Sequence, residues 1–501
     1  MLQPFDKHPH SWMLNVSGLR ELESSLAQRY TTSLMELAGV SASKLALAVA
    51  PHAQRFWVAA GPGNNGGDGI ETALQLHQQG KRVTVTLLSP PEKMPADAYA
   101  AWLRASADGV DIVESLPSWL DTMGPEDLCI DALLGIGASR APQGPMLQAV
   151  QAINNSAARV LALDIPTGLD PCSGQALDGS ETMKGVVRAD HTLSFLAAKP
   201  GLFMAYGRDA SGQIWIDTLS PEPSNIDALV TPVAERNPPA QVLPTTHAGH
   251  KGTYGDVAVI GGEARSLRGM GMGGAAMMAA SAAMNAGAGR VTLTLLGGQP
   301  EHLHEAPDLM LRDFDQLELG TLCVVCGCGG GTAVADVLLK VLQLSQKIVL
   351  DADALNAIAL SRTLQLVLVQ RPAGTTVLTP HPKEAARLLG TEVLHIQGDR
   401  LQSARKLAQQ FNSVVVLKGS GSVIASPDRT PRINTTGNGQ LSIGGTGDVL
   451  AGLIGARMAQ GLAAFDAAST AVWEHGHAAD LWPRHLTLTA SRLARRLLRW
   501  G

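Results

Sequence analysis

The run from Asn434 to Gly452, NTTGNGQLSIGGTGDVLAG, combines a glycine turn with an aspartate that precedes an apolar helix. Gly444, Gly445 and Gly447 allow the backbone to approach an anionic group closely, and their N–H groups can converge on it. A helix that begins near Asp448 would add the positive end of its dipole. A carboxylate beside a phosphate-binding turn predicts phosphoryl chemistry in which Asp448 deprotonates a substrate hydroxyl. The alternative is an ordinary strand-to-helix turn in which the aspartate only caps the helix.

Three apolar segments in the first half of the chain each run into a turn with acidic or amide side chains. Segment 55–60, RFWVAA, indicates a buried strand, GPGNNGGDG a turn, IETALQLHQQG an amphipathic helix that ends at Gly80, and RVTVTLL a second strand. Segments 128–137 (LCIDALLGIG) and 160–170 (VLALDIPTGLD) predict two more strands that end in an aspartate and a glycine turn. Because ligands collect beyond the carboxyl ends of parallel strands, the three turns should meet at one crevice.

The polar side chains of these turns are suited to binding a polar ligand and a cation together. They are Asn64, Asn65, Asp68, Asp131, Asp164 and Thr167. Oxygen donors from amides, carboxylates and a hydroxyl suit a hard cation rather than zinc. In the alternative interpretation, each residue only caps or forms its turn.

The second half of the chain repeats the alternation of strands and helices. It opens with HKGTYGDVAVIGG, in which residues 256–260 form a short apolar strand before a glycine loop. Further strands are predicted at 290–296, 322–327, 347–355, 375–385 and 413–425. Helical patterns such as AAMMAASAAMNAG and ADVLLKVLQL lie between several of them, which predicts a layered α/β sheet.

Length and composition indicate a globular α/β protein with two large domains. The 501 residues exceed one ordinary core, and the 53 glycines suit many tight strand-to-helix turns. The segment between the halves is stiffened by Pro221, Pro223, Pro232, Pro238, Pro239 and Pro244. We therefore predict domains at 1–225 and 246–501, joined by a linker at 226–245.

Charge and cysteine content argue against nucleic-acid and membrane partners and favour a reducing compartment. A formal net charge of −5 gives no broad attraction to nucleic acid or anionic lipid. No secretory signal or apolar stretch of about twenty residues is visible, so no membrane partner is expected. Five cysteines, an odd number, fit a reducing cytoplasm. Cys323, Cys326 and Cys328 lie in LCVVCGCGGG without a fourth nearby ligand, which indicates packing rather than a metal site.

Nine segments in one order resemble a known family along nearly the whole chain. They are GPGNNGGDG, DALLGIG, DIPTGLD, KPGL, HKGTYGDVAVIGG, DADALNA, TPHPKEAARLLG, VVLKGSGSVIA and GGTGDVLAG. The first half resembles the epimerase domain for hydrated nicotinamide dinucleotides, and the second half resembles the matching dehydratase of the ribokinase-like superfamily. Together they are similar to the bifunctional NAD(P)H-hydrate repair enzymes. The resemblance implies a Rossmann-like three-layer α/β/α domain followed by a ribokinase-like α/β domain.

For the first domain, the resemblance implies interconversion of the R and S epimers of NADH or NADPH hydrated at C6 of the nicotinamide ring. The residues implied to bind this dinucleotide are Asn64, Asn65, Gly66, Gly67 and Asp68, with Gly135, Ile136, Gly137, Ala138, Ser139, Arg140 and Ala141. Those implied to ligate potassium are Asn65, Asp131 and Thr167. Asp164 is implied to touch the reacting nicotinamide, where a carboxyl group is a sensible acid or base.

For the second domain, the resemblance implies dehydration of the S epimer at the expense of a nucleotide, ADP by similarity to bacterial members. Asp448 would be the base on the C6 hydroxyl. The nucleotide would be bound by Lys418, Gly419, Ser420, Gly421, Ser422 and Gly447, and the hydrate by Ala275, Gly329, His381 and Asp448. Glu384 and Asn434 would organise magnesium or its waters. A homo-oligomer is also expected, with its number of subunits left open by the sequence.

Two other hypotheses remain at this point. The second half could be a ribokinase-like kinase of a small alcohol, since Asp448 would deprotonate any hydroxyl equally well. The first half could be a non-catalytic dinucleotide-binding or scaffold domain. The turn at 327–331, GCGGG, also departs from the family pattern, which commonly has proline where this chain has Cys328. The choice between ADP and ATP cannot be read from these turns.

Overall fold

The computed structural model describes residues 2–29, 32–180, 182–220, 229–241, 243–244, 246–269, 271–297 and 308–497. The chain divides into two compact units, Met1–Glu235 and Arg236–Gly501. This division falls inside the segment 226–245 that was predicted as a linker, part of which lies outside the described residues. Among the helices of the described ranges, none combines the length and apolarity needed to cross a bilayer.

The first unit is built from a mostly parallel sheet with helices around it. The strands of this sheet are β1 (Gln3–Pro4), β3 (Phe56–Ala60), β4 (Val83–Leu87), β5 (Asp111–Val113), β6 (Leu128–Ala132), β7 (Arg159–Leu163), β8 (His191–Phe195) and β9 (Gln213–Asp217). Outside this sheet, β2 (Trp12–Met13) pairs antiparallel with β10 (Ala234–Arg236). The helices of the unit are α1 (Val16–Ala27), α2 (Leu34–Val49), α3 (Asn64–Gln78), α4 (Ala96–Ala107), α5 (Pro145–Asn155) and α6 (Gly207–Ala210).

The order of the strands in this sheet identifies where a ligand would bind. The order is β1-β9-β8-β7-β6-β3-β4-β5, and all neighbours are parallel except β1 and β9. The chain builds outward from β3 in one direction through β4 and in the other through β6. The topological switch point therefore lies between β3 and β6, where the predicted glycine turns follow the strands.

The two faces of β3 contribute to different hydrophobic cores. Phe56, Val58 and Ala60 pack in a core with residues of α1 to α4. Trp57 and Ala59 pack in a second core with residues of α5. Helices thus cover both faces of the sheet, and the predicted three-layer α/β/α architecture is confirmed.

One local prediction in this unit was wrong. The segment GPGNNGGDG was predicted as a turn, but α3 already begins at Asn64, so residues 64–69 form its first turns. The glycines serve close packing of this helix. A Cβ atom at Gly66 would lie 2.0 Å from the Gly61 carbonyl oxygen, and one at Gly69 would lie 2.4 Å from the Ala132 Cβ atom.

The second unit also has a parallel sheet, with an antiparallel edge. Its strands are β11 (Asp256–Gly261), β12 (Arg290–Leu295), β13 (Met310–Leu311), β14 (Cys323–Cys326), β15 (Lys347–Leu350), β16 (Thr376–Leu378), β17 (Val414–Leu417), β18 (Val423–Ser426) and β19 (Arg429–Ile433). They lie in the order β13-β12-β11-β14-β15-β16-β17-β18-β19, parallel as far as β17 and antiparallel beyond it.

The helices of this unit complete the layered arrangement. They are α7 (Arg265–Arg268), α8 (Gly273–Asn285), α9 (Val334–Leu344), α10 (Asp353–Leu360), α11 (Arg362–Val369), α12 (Pro382–Leu389), α13 (Val393–Gly398), α14 (Arg400–Phe411), α15 (Thr446–Ala459), α16 (Ala464–Asp480) and α17 (Ala490–Arg495). Helices α8, α15, α16 and α17 share one core with the strands. The predicted α/β class is confirmed.

Three predicted strands of this unit were too long. The strand predicted at 347–355 stops at Leu350 before α10, and the one at 375–385 stops at Leu378 before α12. The segment 413–425 is a hairpin of β17 and β18, because Gly419 and Gly421 adopt positive φ angles of 143° and 65° between them. Hydrophobic runs alone did not reveal these breaks.

Helix α15 begins earlier than predicted, at Thr446 rather than near Asp448. Gly445 precedes it with a φ angle of 94°, a left-handed conformation that favours glycine. Asp448 consequently lies in the first turn of α15, close to the N-terminal backbone N–H groups.

Packing of α15 against α8 gives a stability prediction. A Cβ atom at Gly452 would lie 2.0 Å from the Ala279 carbonyl oxygen of α8. We expect Gly452→Ala to lower the free energy of unfolding by about 1–3 kcal/mol, because overpacking outweighs the better helix propensity of alanine. The measurement is the thermal midpoint of the second unit by calorimetry. Gly274→Ala, whose Cβ would have no neighbour within 4 Å, is the matched control. Equal midpoints for the two variants would contradict the prediction.

Candidate functional site

A cavity of about 640 Å³ lies in the first unit at the switch point of its sheet. Of the residues predicted to bind a ligand, those in its wall are Asn64, Asn65, Asp68, Gly135, Ile136, Gly137, Ala138 and Asp164. The three turns that follow β3, β6 and β7 therefore meet as predicted. A volume of this size suits a small organic ligand or one part of a dinucleotide.

Other predicted binding residues lie away from the cavity wall. Gly66 and Gly67 are buried, and a Cβ atom at Gly67 would lie 2.6 Å from the Met35 Cε atom. Ser139, Arg140 and Ala141 follow the wall residues along the chain but do not line the cavity. The glycines thus act in packing of α3, while residues 139–141 could meet only a ligand that extends beyond the cavity.

Asp164 is the most constrained side chain of this cavity. It follows β7 with a φ angle of 67°, a left-handed conformation that is uncommon for residues other than glycine but tolerated by aspartate. Its carboxylate accepts a hydrogen bond of 3.1 Å from the Ile136 backbone N–H group and pairs with the Lys199 ammonium group. The local backbone and both partners orient this carboxylate in the cavity wall.

Lys199 is a functional residue that was not assigned from the sequence. Its side chain is 1% exposed, and its ammonium group also donates hydrogen bonds to Ser194 Oγ at 2.8 Å and to the Phe195 carbonyl oxygen at 3.0 Å. Burial lowers the pKa of Lys199, while the Asp164 carboxylate opposes this effect. The signal available in the sequence was a single lysine after an apolar strand, in LSFLAAKPG.

Two of the three predicted potassium ligands are in direct contact. Asp131 Oδ1 accepts a hydrogen bond of 2.7 Å from the Thr167 hydroxyl, and Asp131 Oδ2 accepts one of 2.8 Å from the Thr167 N–H group. Burial raises the pKa of Asp131 to about 6. Both side chains lie beneath the cavity rather than in its wall.

Asn65, the third predicted ligand, has an unusual side chain. It is 6% exposed, and neither its amide oxygen nor its amide nitrogen has a hydrogen-bond partner within the described residues. Buried amides are normally satisfied, so this one has capacity for a group that the protein itself does not supply. An oxygen-binding cation fits the donor set of amide, carboxylate and hydroxyl.

In the second unit, a buried ion pair connects two segments of the candidate nucleotide site. The Lys418 ammonium group lies 2.6 Å from Asp351 Oδ1, which also accepts a hydrogen bond of 2.8 Å from the Thr379 hydroxyl. A Cβ atom at Gly447 would lie 3.2 Å from Lys418 Nζ. Lys418 and Gly447, both predicted to bind the nucleotide, are therefore neighbours, and Asp351 is an unassigned residue that positions the lysine.

Asp448 lies beside this pair. One ligand-type atom from each of Cys328, Asp351 and Asp448 falls within 4.8 Å of the others. Burial, followed by the negative charge of Asp351, raises the pKa of Asp448 to about 6, although the Cys328 thiol donates a hydrogen bond that opposes the rise. A carboxyl group with this pKa is largely ionised at neutral pH and remains a competent base.

The cysteines of the second unit show no disulfide. Cys323, Cys326 and Cys328 are buried and free, and burial raises the pKa of Cys323 and of Cys326 to about 12. The first two side chains pack in β14 as expected. Cys328 differs, because its thiol contacts the carboxyl group of Asp448.

The turn at 418–422 rests on a buried arginine that was also missed. Arg400 is 2% exposed, and its guanidinium donates to the Leu417 carbonyl oxygen at 3.1 Å and the Lys418 carbonyl oxygen at 3.2 Å. Burial lowers the pKa of Arg400 to about 10. A Cβ atom at Gly419 would lie 2.9 Å from this guanidinium, so glycine is required where the turn crosses it. The turn itself comprises Lys418, Gly419, Ser420, Gly421 and Ser422.

The residues predicted to bind the hydrate meet only in part. A Cβ atom at Gly329 would lie 2.9 Å from the Ala275 Cβ atom, so these two line the same surface. His381 is the N-cap of α12, and its Nδ1 atom accepts hydrogen bonds from the Lys383 and Glu384 N–H groups at 3.0 Å and 3.3 Å. His381 thus caps this helix, and its Nε2 atom lies 3.3 Å from Glu384 Oε1.

The two residues predicted to organise magnesium both have partners within the protein. Both ends of the Asn434 amide are used, with Oδ1 accepting from Asn237 at 3.0 Å and Nδ2 donating to the Thr436 carbonyl oxygen at 3.0 Å. Glu384 Oε2 accepts the His381 N–H group at 2.8 Å, and burial raises the pKa of Glu384 to about 7. Their role with magnesium stays a prediction.

Similarity to known proteins extends over both units. Residues 257–499 match the family described as NAD(P)H-hydrate dehydratase, and residues 31–201 match the family described as YjeF-related protein N-terminus. The Bifunctional NAD(P)H-hydrate repair enzyme Nnr of Escherichia coli (strain K12) is 34% identical, over 89% of this chain and 84% of that protein. The protein of the same name from Coxiella burnetii is 35% identical, over 92% of this chain and 93% of that protein. The chain belongs to the bifunctional NAD(P)H-hydrate repair enzymes.

Family membership confirms the resemblance drawn from the nine motifs. The ADP-dependent (S)-NAD(P)H-hydrate dehydratase of Neisseria meningitidis serogroup B is 40% identical, over 49% of this chain and 83% of that protein. The bifunctional relatives align through most of their length with both units of this chain. A small-alcohol kinase fused to an unrelated scaffold would not account for that joint alignment.

Proposed function

We propose that the protein repairs hydrated NADH and NADPH, with epimerisation of the R and S hydrates in the first unit and ADP-dependent dehydration of the S hydrate in the second. The observation that carries the proposal is the presence of a positioned carboxyl group at the carboxyl ends of the strands in each unit, in a chain of this family. Asp164 lies in the wall of the cavity, and Asp448 lies beside the Lys418–Asp351 pair at a helix N-terminus.

In the first unit, Asp164 is the group that moves a proton at the C6 hydroxyl. The Lys199 ammonium group pairs with its carboxylate, and the Ile136 N–H group fixes its orientation. The remaining wall residues, Asn64 and Gly135 to Ala138 among them, would bind the nicotinamide and exclude water from it.

In the second unit, Asp448 takes the proton of the C6 hydroxyl while that oxygen attacks the terminal phosphorus of ADP. The phosphoryl–oxygen bond of ADP breaks and AMP leaves with the electron pair. Lys418 and the N–H groups around Gly447 stabilise the charge on the transferred phosphoryl group. Phosphate is a better leaving group than hydroxide, so the C6–O bond then breaks with its electron pair on phosphate. A proton leaves C5 to solvent, and its C–H electron pair forms the C5=C6 double bond of the dihydropyridine ring. Ala275 and Gly329 would contact the hydrate.

The raised pKa of Asp448 predicts the pH dependence of dehydration. The base must be ionised to act, and burial together with Asp351 places its pKa at about 6 rather than near 4. We expect kcat/KM for the S hydrate to fall about tenfold for each pH unit below 6, since the ionised fraction falls in that proportion. The measurement is the pH profile of dehydration at saturating ADP. An acid limb centred near pH 4 would exclude this environment for the base.

Potassium is proposed at Asn65, Asp131 and Thr167. The unsatisfied buried amide of Asn65 supports this placement, and the Asp131 and Thr167 oxygen atoms complete a hard donor set. Asn65, Asp131 and Thr167 would hold the cation, which would supply positive charge to this part of the first unit.

Potassium should therefore stabilise the first unit. At about one hundred times its dissociation constant, we expect it to add about 2.7 kcal/mol to the free energy of unfolding. Asn65→Ala should lose most of that gain, whereas Asn64→Ala, a change of the same type at the exposed neighbour, should keep it. Thermal unfolding in potassium and in a bulky organic cation such as tetramethylammonium measures the difference. Equal stabilisation of the two variants by potassium would contradict a potassium site at Asn65.

Magnesium, a cytoplasmic location and a homo-oligomer are further parts of the proposal. We propose that magnesium enters with the phosphates of ADP, because this ion keeps several waters and needs few protein ligands. The five free cysteines support a cytoplasmic location.

The function is tested by giving the purified chain a mixture of R and S hydrates with magnesium, potassium and either ADP or ATP. Absorbance of the reduced ring reports recovery of the coenzyme. Conversion of both epimers with ADP supports both activities. Conversion that stops at about half would contradict the proposed epimerase activity. No conversion with either nucleotide would contradict the whole proposed function.

A further inference from the structure

The two aspartates in the wall of the first unit's cavity have opposite surroundings. Asp164 accepts hydrogen bonds from the Lys199 ammonium group and the Ile136 N–H group. Asp68 lines the same cavity from α3, yet its carboxyl group makes no hydrogen bond or ion pair with any group in the described ranges. The Asp164 carboxyl group therefore has partners that stabilise a negative charge, and the Asp68 carboxyl group has no such hydrogen-bond or ion-pair partner.

The charges around Asp68 favour its neutral form. Burial is the largest cause that raises the pKa of Asp68 well above its usual value, and the carboxylates of Asp164, Glu23 and Glu71 raise it further. Lys199 opposes them, but its three hydrogen atoms are all used by Asp164, Ser194 and the Phe195 carbonyl oxygen. Two carboxyl groups in one site, one paired with a cation and one without such a partner, are the usual arrangement of a proton acceptor and a proton donor.

We propose that Asp68 is the proton donor of epimerisation, that Asp164 is the proton acceptor, and that Lys199 is a positioning residue that pairs with the Asp164 carboxyl group. This inference rests on the proposed epimerase function and assigns the roles within it. The carboxyl groups of Asp68 and Asp164 lie on different elements of the cavity wall, α3 and the turn after β7. They can therefore contact a ligand at different points.

The proton and electron movements balance without any redox partner. Asp68 gives its proton to the C6 hydroxyl, the C6–O bond breaks with its electron pair on the departing water, and the ring nitrogen lone pair forms a C6=N1 bond. A solvent water then attacks C6 from the opposite face and gives a proton to Asp164, while the C6=N1 electron pair returns to nitrogen. The reverse reaction uses the same pair with the roles exchanged, and proton exchange with solvent restores the starting state.

The experiment follows interconversion of the separated R and S hydrates by chromatography in potassium and without ADP, so that dehydration does not remove product. We expect Asp68→Asn to lower kcat for epimerisation by about 10²–10⁴-fold with little change in KM, the usual effect of losing a positioned acid. Asp68→Glu should recover part of the rate. Asp108→Asn, the same change at an exposed position of this unit, is the control.

Two further readouts separate proton donation from a structural role. The wild-type rate should fall on the alkaline side as Asp68 ionises, and Asp68→Asn should lack that limb. In ¹⁸O-labelled water, each epimerisation should place one label at the C6 hydroxyl. ADP-dependent dehydration of the S hydrate by the same variant shows that the chain is folded and active elsewhere.

The outcomes distinguish this inference from the function on which it rests. A wild-type chain that does not interconvert the hydrates overturns the proposed epimerase function and the inference together. A wild-type chain that interconverts them, with Asp68→Asn at the same rate, altered only in KM, or with unlabelled product, overturns the inference alone.

Discussion

Asp448→Asn is expected to lower ADP-dependent dehydration of the S hydrate by about 10²–10⁴-fold, because the amide cannot accept the proton of the C6 hydroxyl. The amide keeps the size of the carboxyl group and removes a negative charge near Asp351, so the fold should tolerate it. Nucleotide affinity should be retained, since the Lys418–Asp351 pair is unchanged. Initial rates with saturating ADP, together with ADP binding by calorimetry, make the measurement.

The matched control is Asp336→Asn. Asp336 also lies in the first turn of a helix, α9, but is exposed. It tests the general effect of removing an acidic group at a helix N-terminus, which is worth about 0.3–1 kcal/mol. Parent-like dehydration by the Asp448 variant would refute the assignment of the base. Loss of ADP binding as well would instead indicate a role in the nucleotide site.

Asp164→Asn is expected to lower epimerisation by a comparable factor of about 10²–10⁴ while leaving dehydration of pure S hydrate unchanged. Asparagine tolerates the left-handed backbone of this position, where φ is 67°, so the turn should persist. The substitution also removes the counter-ion of the buried Lys199, so burial would lower the pKa of that lysine with only Asp68 and Glu23 to oppose it.

The rate is measured by chromatographic separation of the two hydrates in potassium, with Asp121→Asn, an exposed change in the same unit, as the control. An Asp164 variant that epimerises at the parental rate would contradict the assigned role. If dehydration of the S hydrate fell as well, the change would have disturbed more than the first unit.

Lys199→Met separates loss of the Asp164 carboxyl group from loss of its ion pair with Lys199. It leaves the Asp164 carboxylate in place but without its ammonium partner, so epimerisation should weaken through the base rather than through a lost contact with substrate. The distinction matters because Lys199 has no remaining hydrogen atom to offer a ligand.

Local patterns in the sequence determined the fold class and most of the chemistry-bearing positions. Apolar runs of strand length located β3, β6 and β7, and the residues just beyond them, including Asp164, do converge on one cavity. The reason is general: in a parallel sheet the carboxyl ends of all strands share one edge, so strand ends predict a site before the strand order is known. The glycine turn before Asp448 was also informative, because glycines before a helix allow backbone N–H groups to converge on an anionic group.

Only the tertiary structure decided how those positions are paired and charged. Lys199 meets Asp164 from 35 residues away, and Lys418 meets Asp351 from 67 residues away, so neither partner could be read from local spacing. The start of α3 at Asn64 likewise depends on close contacts of its glycines with Gly61 and Ala132. Burial and pairing set the protonation state of a carboxyl group, and both depend on which segments the sheet brings together. The sequence therefore determined which side chains reach the sites, and the packing of distant segments decided which of them are ionised.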